Sequence, residues 1–110
     1  MTLETALDVR VGDDAVEFAF AVTNAGIDPV ELTFRSGLKA DFTVRADGTE
    51  RWRASDGRMF TQALQSETLA PGETRTYEGA WPDPEPGEYA VVAELNLMDG
   101  PVEDRATFAV

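Results

Sequence analysis

Few residue types in this chain could serve as catalytic groups. It contains no histidine and no cysteine, and Lys39 is its single lysine. A serine nucleophile requires a neighbouring base, most often histidine, to take up its proton. Ser36, Ser55 and Ser66 therefore have no base of the usual kind, and we interpret them as turn residues. The composition predicts that the protein is not an enzyme.

Carboxylates are abundant, but no group of them has the spacing of a known site. Among 21 acidic residues some pairs meet by chance, so we interpret Asp13-Asp14 and Glu103-Asp104 as solvated turn residues and not as acid–base pairs. No segment matches the calcium loop D-x-[DN]-x-[DN]-G or a glycine-rich phosphate loop. We therefore expect neither a metal ion nor a cofactor.

The formal net charge of −12 is the strongest signal in the composition. It opposes binding to the phosphates of nucleic acids and to anionic membrane surfaces. Apart from Lys39, every basic residue is arginine. This combination is typical of proteins adapted to molar salt, where the Debye length falls to about 3 Å and repulsion between carboxylates is screened. The charge predicts a halophilic protein; a mesophilic acidic domain with a chance excess of arginine is the alternative.

The sequence contains no segment typical of export or of membrane insertion. Its first residues lack a basic region followed by an apolar run, which a signal peptide would need. No stretch reaches the roughly 20 apolar residues that a membrane span requires. We expect a soluble cytoplasmic protein, monomeric and without a membrane partner.

Apolar residues alternate with polar ones along most of the chain, which is the pattern of half-buried strands. Turn signals separate the alternating segments, and Pro71-Gly72 suits the centre of a type II turn. The alternation predicts strands at residues 3–11, 16–23, 30–35, 42–44, 50–53, 66–69, 74–81, 89–97 and 106–110. Many short strands without a helical segment predict an all-β fold: an antiparallel two-sheet β-sandwich, immunoglobulin-like, formed by a single domain over residues 1–110.

One segment, Asp56–Gln65, breaks the alternation, and we predict that it is an ordered loop. The proline-rich segment 82–87 is predicted to be a second, stiff loop because proline cannot donate to a ladder. Trp52, Tyr77 and Trp81 could anchor an interface, but their strand spacing favours the core.

Two segments are better candidates for a contact surface. In Arg35-Ser36-Gly37-Leu38 and in Asp56-Gly57-Arg58-Met59-Phe60, a long side chain stands beside a glycine bend that can present it to a cleft. An ordinary loop is an equally good interpretation of each segment.

Several short motifs follow one another in a defined order across about half of the chain. They are Phe34-Arg35-Ser36-Gly37, Asp41-Phe42-Thr43-Val44, Trp52-Arg53-Ala54-Ser55, Met59 to Gln65, Thr68-Leu69-Ala70-Pro71-Gly72-Glu73, Trp81, and Gly87-Glu88-Tyr89. This order resembles the intracellular proteinase inhibitor family of BsuPI type. The resemblance implies an immunoglobulin-like β-sandwich, a cytoplasmic setting and inhibition of intracellular serine proteinases of the subtilisin-like kind.

The resemblance assigns no contact residues, so we infer them from the loops. A rigid loop that lies in the proteinase cleft like a substrate would block it at little entropic cost. The expected contact residues are Arg58, Met59, Phe60, Leu64, Arg35 and Leu38. Subtilisin-like clefts accept large apolar side chains, which suits Met59, Phe60 or Leu64, whereas Arg58 would suit a trypsin-like pocket.

A hypothesis from another class of function is a non-inhibitory interaction domain. Immunoglobulin-like sandwiches serve many unrelated functions, and an exposed strand edge can bind a partner strand. Co-purification with a partner that is not a proteinase would favour this hypothesis over inhibition.

Overall fold

A computed structural model describes residues 2–110, and within that range the chain forms β-strands and no helix. The strands are β1 (Leu3–Val11), β2 (Ala15–Asn24), β3 (Val30–Phe34), β4 (Ala40–Ala46), β5 (Thr49–Arg53), β6 (Gln65–Leu69), β7 (Thr74–Pro82), β8 (Glu88–Leu95) and β9 (Glu103–Ala109). Consequently none of these residues belongs to a helix that could cross a bilayer.

The strands form two main antiparallel sheets and one short ribbon. One sheet has the order β1-β2-β7 and the other β5-β4-β8-β9, while β3 and β6 pair with each other. The ribbon continues the second sheet, because Phe34 forms a bridge with Leu97 just beyond β8. The all-β antiparallel sandwich predicted from the alternation is confirmed.

The core lies where the apolar faces of the two sheets meet. In β2 the alternation is complete: Val16, Phe18, Phe20 and Val22 are all buried. Phe18 stacks on Phe42 of the opposite sheet with ring centroids 5.7 Å apart. Full burial of one such side chain contributes about 1.5–3 kcal/mol, so β2 and β4 are central to the stability of the sandwich.

A glycine in β7 allows the two sheets to approach at this point. A Cβ atom on Gly79 would lie 2.7 Å from Cδ2 of Phe42, far inside van der Waals contact. The absence of a side chain at residue 79 therefore makes room for the Phe42 ring, which in turn stacks on Phe18.

The aromatic residues with strand spacing pack on the core. Trp81 is buried and lies edge-on to Tyr89, with centroids 4.8 Å apart. Trp52 packs against Phe18 at 6.2 Å, and Tyr77 is a partly buried neighbour of the core. Their assignment to the core in preference to an interface is confirmed.

The interpretation of Glu103-Asp104 as a solvated turn was wrong. Both residues belong to β9, and Oδ2 of Asp104 accepts a hydrogen bond of 2.9 Å from the hydroxyl of Thr5 in β1. This bond connects edge strands of the two sheets. Local sequence could not indicate it, because the two residues are 99 positions apart.

Candidate functional site

The segment between β5 and β6, residues 54–64, is called the β5–β6 loop below. Hydrogen bonds of 3.1 Å from Asp56 N to Arg53 O and of 3.2 Å from Arg58 N to Ser55 O fold its first part into consecutive tight turns. Gly57 has φ +71°, a conformation that favours glycine. The chain then runs without regular structure to Leu64. The predicted ordered loop is thus present, with turns at its start.

Asp41, at the start of β4, holds the first end of the loop. Its Oδ1 atom accepts the backbone N–H of Ser55 at 3.0 Å, and its Oδ2 atom accepts the Ser55 hydroxyl at 2.6 Å. Oδ1 also accepts the N–H of Phe42, and Arg53 Nη1 lies 3.3 Å from Oδ2. Asp41 is 7% exposed. Because hydrogen bonds to a charged acceptor are stronger than neutral ones, this carboxylate fixes the loop to the sheet.

Gly37, between β3 and β4, holds the other part of the loop. Its N–H donates to Thr61 O at 2.9 Å. A Cβ atom on Gly37 would lie 2.7 Å from Oγ1 of Thr61, so only glycine allows this close approach without a shift. The two segments that the sequence indicated as contact surfaces are therefore neighbours in space.

Asn96, just after β8, holds the segment that contains Gly37 in place. The Asn96 side-chain amide donates to Leu38 O at 2.9 Å and to Ser36 Oγ at 3.2 Å. The same hydroxyl oxygen accepts the N–H of Leu38. Both Arg35 N and Lys39 O bond to the Asn96 backbone, so the chain between them bulges outward in a defined shape.

The candidate contact residues differ strongly in exposure. Met59 is 99% exposed and Leu64 60% exposed. The exposed Arg58 guanidinium stands over the half-buried Phe60 ring, 5.2 Å from its centroid. The loop therefore presents Met59 at its tip, with Arg58 and Phe60 engaged with each other.

The other two candidates, Arg35 and Leu38, lie between β3 and β4, and Arg35 is exposed. Nε of Arg35 donates to Leu97 O at 2.9 Å, which draws the side chain toward the segment after β8. Leu38 is half-buried. Both residues belong to the segment whose Gly37 bonds to Thr61 of the β5–β6 loop.

Strand pairing places the ends of β2, β5 and β8 at one end of the sandwich. β2 ends where β1 begins, and β8 ends where β4 begins and β5 ends. The Thr5–Asp104 bond aligns the start of β1 with the start of β9, which pairs with the end of β8. The exposed large apolar residues at this end are Ile27, Met59, Leu64 and Met98, whereas Val11 lies at the opposite end. Sequence reasoning missed Ile27, whose only local signal is a turn between Gly26 and Pro29.

A cluster of charged side chains surrounds Glu67 of β6. Glu67 accepts hydrogen bonds from Lys39 at 2.5 Å and from the Tyr77 hydroxyl at 2.9 Å, and Arg75 lies 3.5 Å away. Burial by itself would raise the pKa of Glu67, but the bonds from Lys39 and Tyr77 outweigh it and lower the pKa below its usual value. Burial, followed by the bond to Glu67, raises the pKa of Tyr77. The cluster thus holds an ionised carboxylate beneath the ribbon.

No group of three or more metal-ligating side chains occurs among residues 2–110. The polar groups that the site does contain are bonded to one another, and within the same range no buried side-chain nitrogen or oxygen lacks a hydrogen-bond partner. The surface is therefore preformed. Hydrogen bonds from buried groups hold the backbone bends in place, and the apolar side chain of Met59 is exposed to water.

The site is therefore a bonded loop of a β-sandwich that holds one apolar side chain, Met59, in water. A family model described as intracellular proteinase inhibitor, BsuPI, matches residues 3–100. The chain belongs to the BsuPI family of intracellular proteinase inhibitors.

Other comparisons add little to this assignment. No curated protein matches the chain. Among solved structures, it is similar to β-glucosidase 3B from Thermotoga neapolitana in complex with α-D-glucose, with a TM-score of 0.49 and 16% identity. The similarity covers 99% of this chain and 17% of the glucosidase. A likeness this distant carries no argument about function.

Proposed function

We propose that the chain inhibits an intracellular serine proteinase of the subtilisin-like kind by placing the β5–β6 loop in the active-site cleft. Family membership supports a proteinase as the partner. The observation that carries the choice of loop is the exposure of Met59, 99%, at the tip of a loop fixed on both sides. The protein acts as a monomeric single domain in the cytoplasm and has no catalytic role of its own.

The chemistry of the loop suits an apolar cleft. From Gly57 to Ser66 there is no carboxylate, although the chain carries 21 of them. Met59 is unbranched and adapts to irregular pockets, so it is the residue proposed for the specificity pocket. Arg58 is engaged with the Phe60 ring, which favours an apolar pocket over one that selects a cation.

Rigidity explains how such a loop could inhibit without being consumed. Fixing one backbone residue costs about 1–2 kcal/mol, and the bonds from Asp41 to Ser55 and from Gly37 to Thr61 meet part of that cost before the partner arrives. The same bonds would hold the ends of the loop together if the proteinase attacked it. A flexible loop of this sequence would instead be an ordinary substrate.

The test is a titration of a subtilisin-like proteinase, active in molar KCl, with the purified chain and a small peptide substrate. We expect stoichiometric loss of activity while the inhibitor chain stays intact. Full activity with excess chain, or rapid digestion of the chain, would overturn the proposal. In that case the interaction-domain hypothesis would be pursued, although Glu50, Arg51 and Arg53 on the edge strand β5 disfavour strand addition there.

Loop variants test the assignment of the contact. Burial of a methionine side chain contributes about 1.5–3 kcal/mol, so Met59→Asp is expected to weaken inhibition about 10- to 100-fold. Phe60→Asp is expected to weaken it as well, because it also removes the support of Arg58. Val11→Asp is the matched control, since Val11 is 45% exposed at the opposite end of the sandwich. Unchanged inhibition by folded Met59→Asp and Phe60→Asp would exclude this loop.

A further inference from the structure

Ile27 is a second apolar side chain held in water, 90% exposed between β2 and β3. Its loop is fixed by Asn24, which is wholly buried. Oδ1 of Asn24 accepts the N–H of Gly26 at 2.9 Å, and Nδ2 donates to Asp28 O at 2.8 Å and to Leu69 O at 3.0 Å. Every hydrogen bond of this buried amide thus serves the shape of the loop or its attachment to β6.

Ile27 is exposed although the loop that carries it is ordered. Ala25 N also donates to Thr2 O at 3.0 Å, so both sides of the bend are bonded. Burying an isoleucine would contribute about 1.5–3 kcal/mol, a gain that the isolated chain does not realise. The loop has the same design as the β5–β6 loop: an internally bonded bend beneath one large apolar side chain.

The β3–β6 ribbon connects the two loops. Val30 pairs with Leu69 at the Ile27 end, and Phe34 pairs with Gln65 at the Leu64 end. Four residue steps at about 3.3 Å each give the ribbon a length of about 13 Å. A standard interface buries about 800 Å² on each partner, a disc about 30 Å across. One partner is therefore large enough to cover both ends of the ribbon.

The outward face of the ribbon carries three short side chains and one carboxylate. Leu32 and Phe34 point into the core, so the alternate residues of β3 and their partners in β6 face outward. That face carries the short hydroxyl side chains of Thr33, Ser66 and Thr68 and the exposed carboxylate of Glu31, which pairs with Thr68. Met98, half exposed, lies beside it because its N–H donates to Thr33 O at 2.9 Å.

We propose that the Ile27 loop is a second contact element for the same proteinase. Ile27 packs on an apolar patch beside the active-site cleft while Met59 occupies the cleft, and the ribbon sets the spacing between the Ile27 loop and the Leu64 end of the β5–β6 loop. The inference rests on the proposed function. It adds that affinity depends on a surface remote from the residue in the cleft. This surface would also let the chain select among proteinases that share the same specificity pocket.

The test compares inhibition constants of the wild-type chain with those of Ile27→Asp, Ile27→Val, Met59→Asp and Val11→Asp on the same proteinase. We expect Ile27→Asp to weaken inhibition about tenfold, Ile27→Val to weaken it by no more than about fourfold because only one methylene is lost, and Val11→Asp to have no effect. The thermal midpoint of Ile27→Asp should stay that of the wild type, because residue 27 is in water. Amide exchange in the complex should show protection of residues 26–28 as well as of the β5–β6 loop.

The outcomes separate the two proposals. If the wild type inhibits and Met59→Asp is impaired while Ile27→Asp equals the wild type, the second contact is refuted and the loop assignment stands. Protection confined to the β5–β6 loop would refute it too. If the wild type does not inhibit, the proposed function fails, and the second contact fails with it.

Discussion

The substitution Asp41→Asn tests whether one buried carboxylate holds the β5–β6 loop in place. Asparagine has the same shape and keeps one side-chain oxygen. This oxygen can still accept hydrogen bonds from the N–H groups of Phe42 and Ser55. The substitution removes the negative charge. In the wild type, Oδ2 accepts the Ser55 hydroxyl at 2.6 Å and lies 3.3 Å from Nη1 of Arg53.

The expected loss follows from these two contacts. A hydrogen bond to a charged group contributes about 1.5–3 kcal/mol. The pair with Arg53, whose side chain is 33% exposed, adds at most about 1 kcal/mol because solvent screens it. We expect the free energy of unfolding to fall by about 2–3 kcal/mol. A domain of this size loses about 4 °C or more in thermal midpoint for each kcal/mol, so the midpoint should fall by about 10 °C.

Denaturant unfolding and inhibition should be measured on the same samples in molar KCl. Asp41→Asn should be digested at the β5–β6 loop faster than the wild type at temperatures where both are folded. Glu50→Gln is the control, because it removes only the exposed partner of Arg53 and should cost less than about 1 kcal/mol. In a cycle with Ser55→Ala, the two losses should fail to add by more than about 0.5 kcal/mol. An unfolding free energy of Asp41→Asn within about 0.5 kcal/mol of wild type, or strict additivity, would refute the reasoning.

Three further predictions concern the loop contact, acid stability and salt. Gly37→Ala should weaken inhibition because its Cβ would lie 2.7 Å from Thr61 Oγ1 and 3.3 Å from Thr61 N, and adding Thr61→Ala should recover part of the loss; a double variant with no recovery would refute the contact with the Thr61 side chain as the cause. Because the pKa of Glu67 is lowered, the stability it contributes is present above the usual value of 4.5 and is lost as pH falls below it. Glu67→Gln should therefore flatten the decline of unfolding free energy below pH 4.5, and an unchanged acid limb would contradict this assignment. Unfolding free energy should rise with KCl up to molar concentration, since salt screens the net charge of −12; indifference to salt would remove the halophilic prediction.

The sequence determined most of the strands and turns, because their signals are local. Alternation in β2 defines its buried face without reference to any partner strand. Gly72 has φ +81° and Glu73 N donates to Ala70 O, as the Pro71-Gly72 signal predicted. The break in alternation at residues 56–65 marked the loop for the same reason.

The anchors of the loops were decided by tertiary structure alone. Asp41 and Ser55 are 14 positions apart and meet only because β4 and β5 pair with Thr43 opposite Arg53. Gly37 and Thr61 meet because the chain bulges beside Asn96 while the β5–β6 loop folds back over it. Nothing in the local sequence distinguishes such a glycine from one in a turn.

Charge gives the clearest example of the difference between what the sequence decides and what the tertiary structure decides. Composition alone established 21 acidic residues and a net charge of −12, because a count needs no structure. It could not distinguish Asp41, which is buried and holds a loop, from a solvated carboxylate such as Asp13. The environment of a carboxylate depends on which strands surround it, and strand pairing is set by burial of the apolar faces over the whole chain.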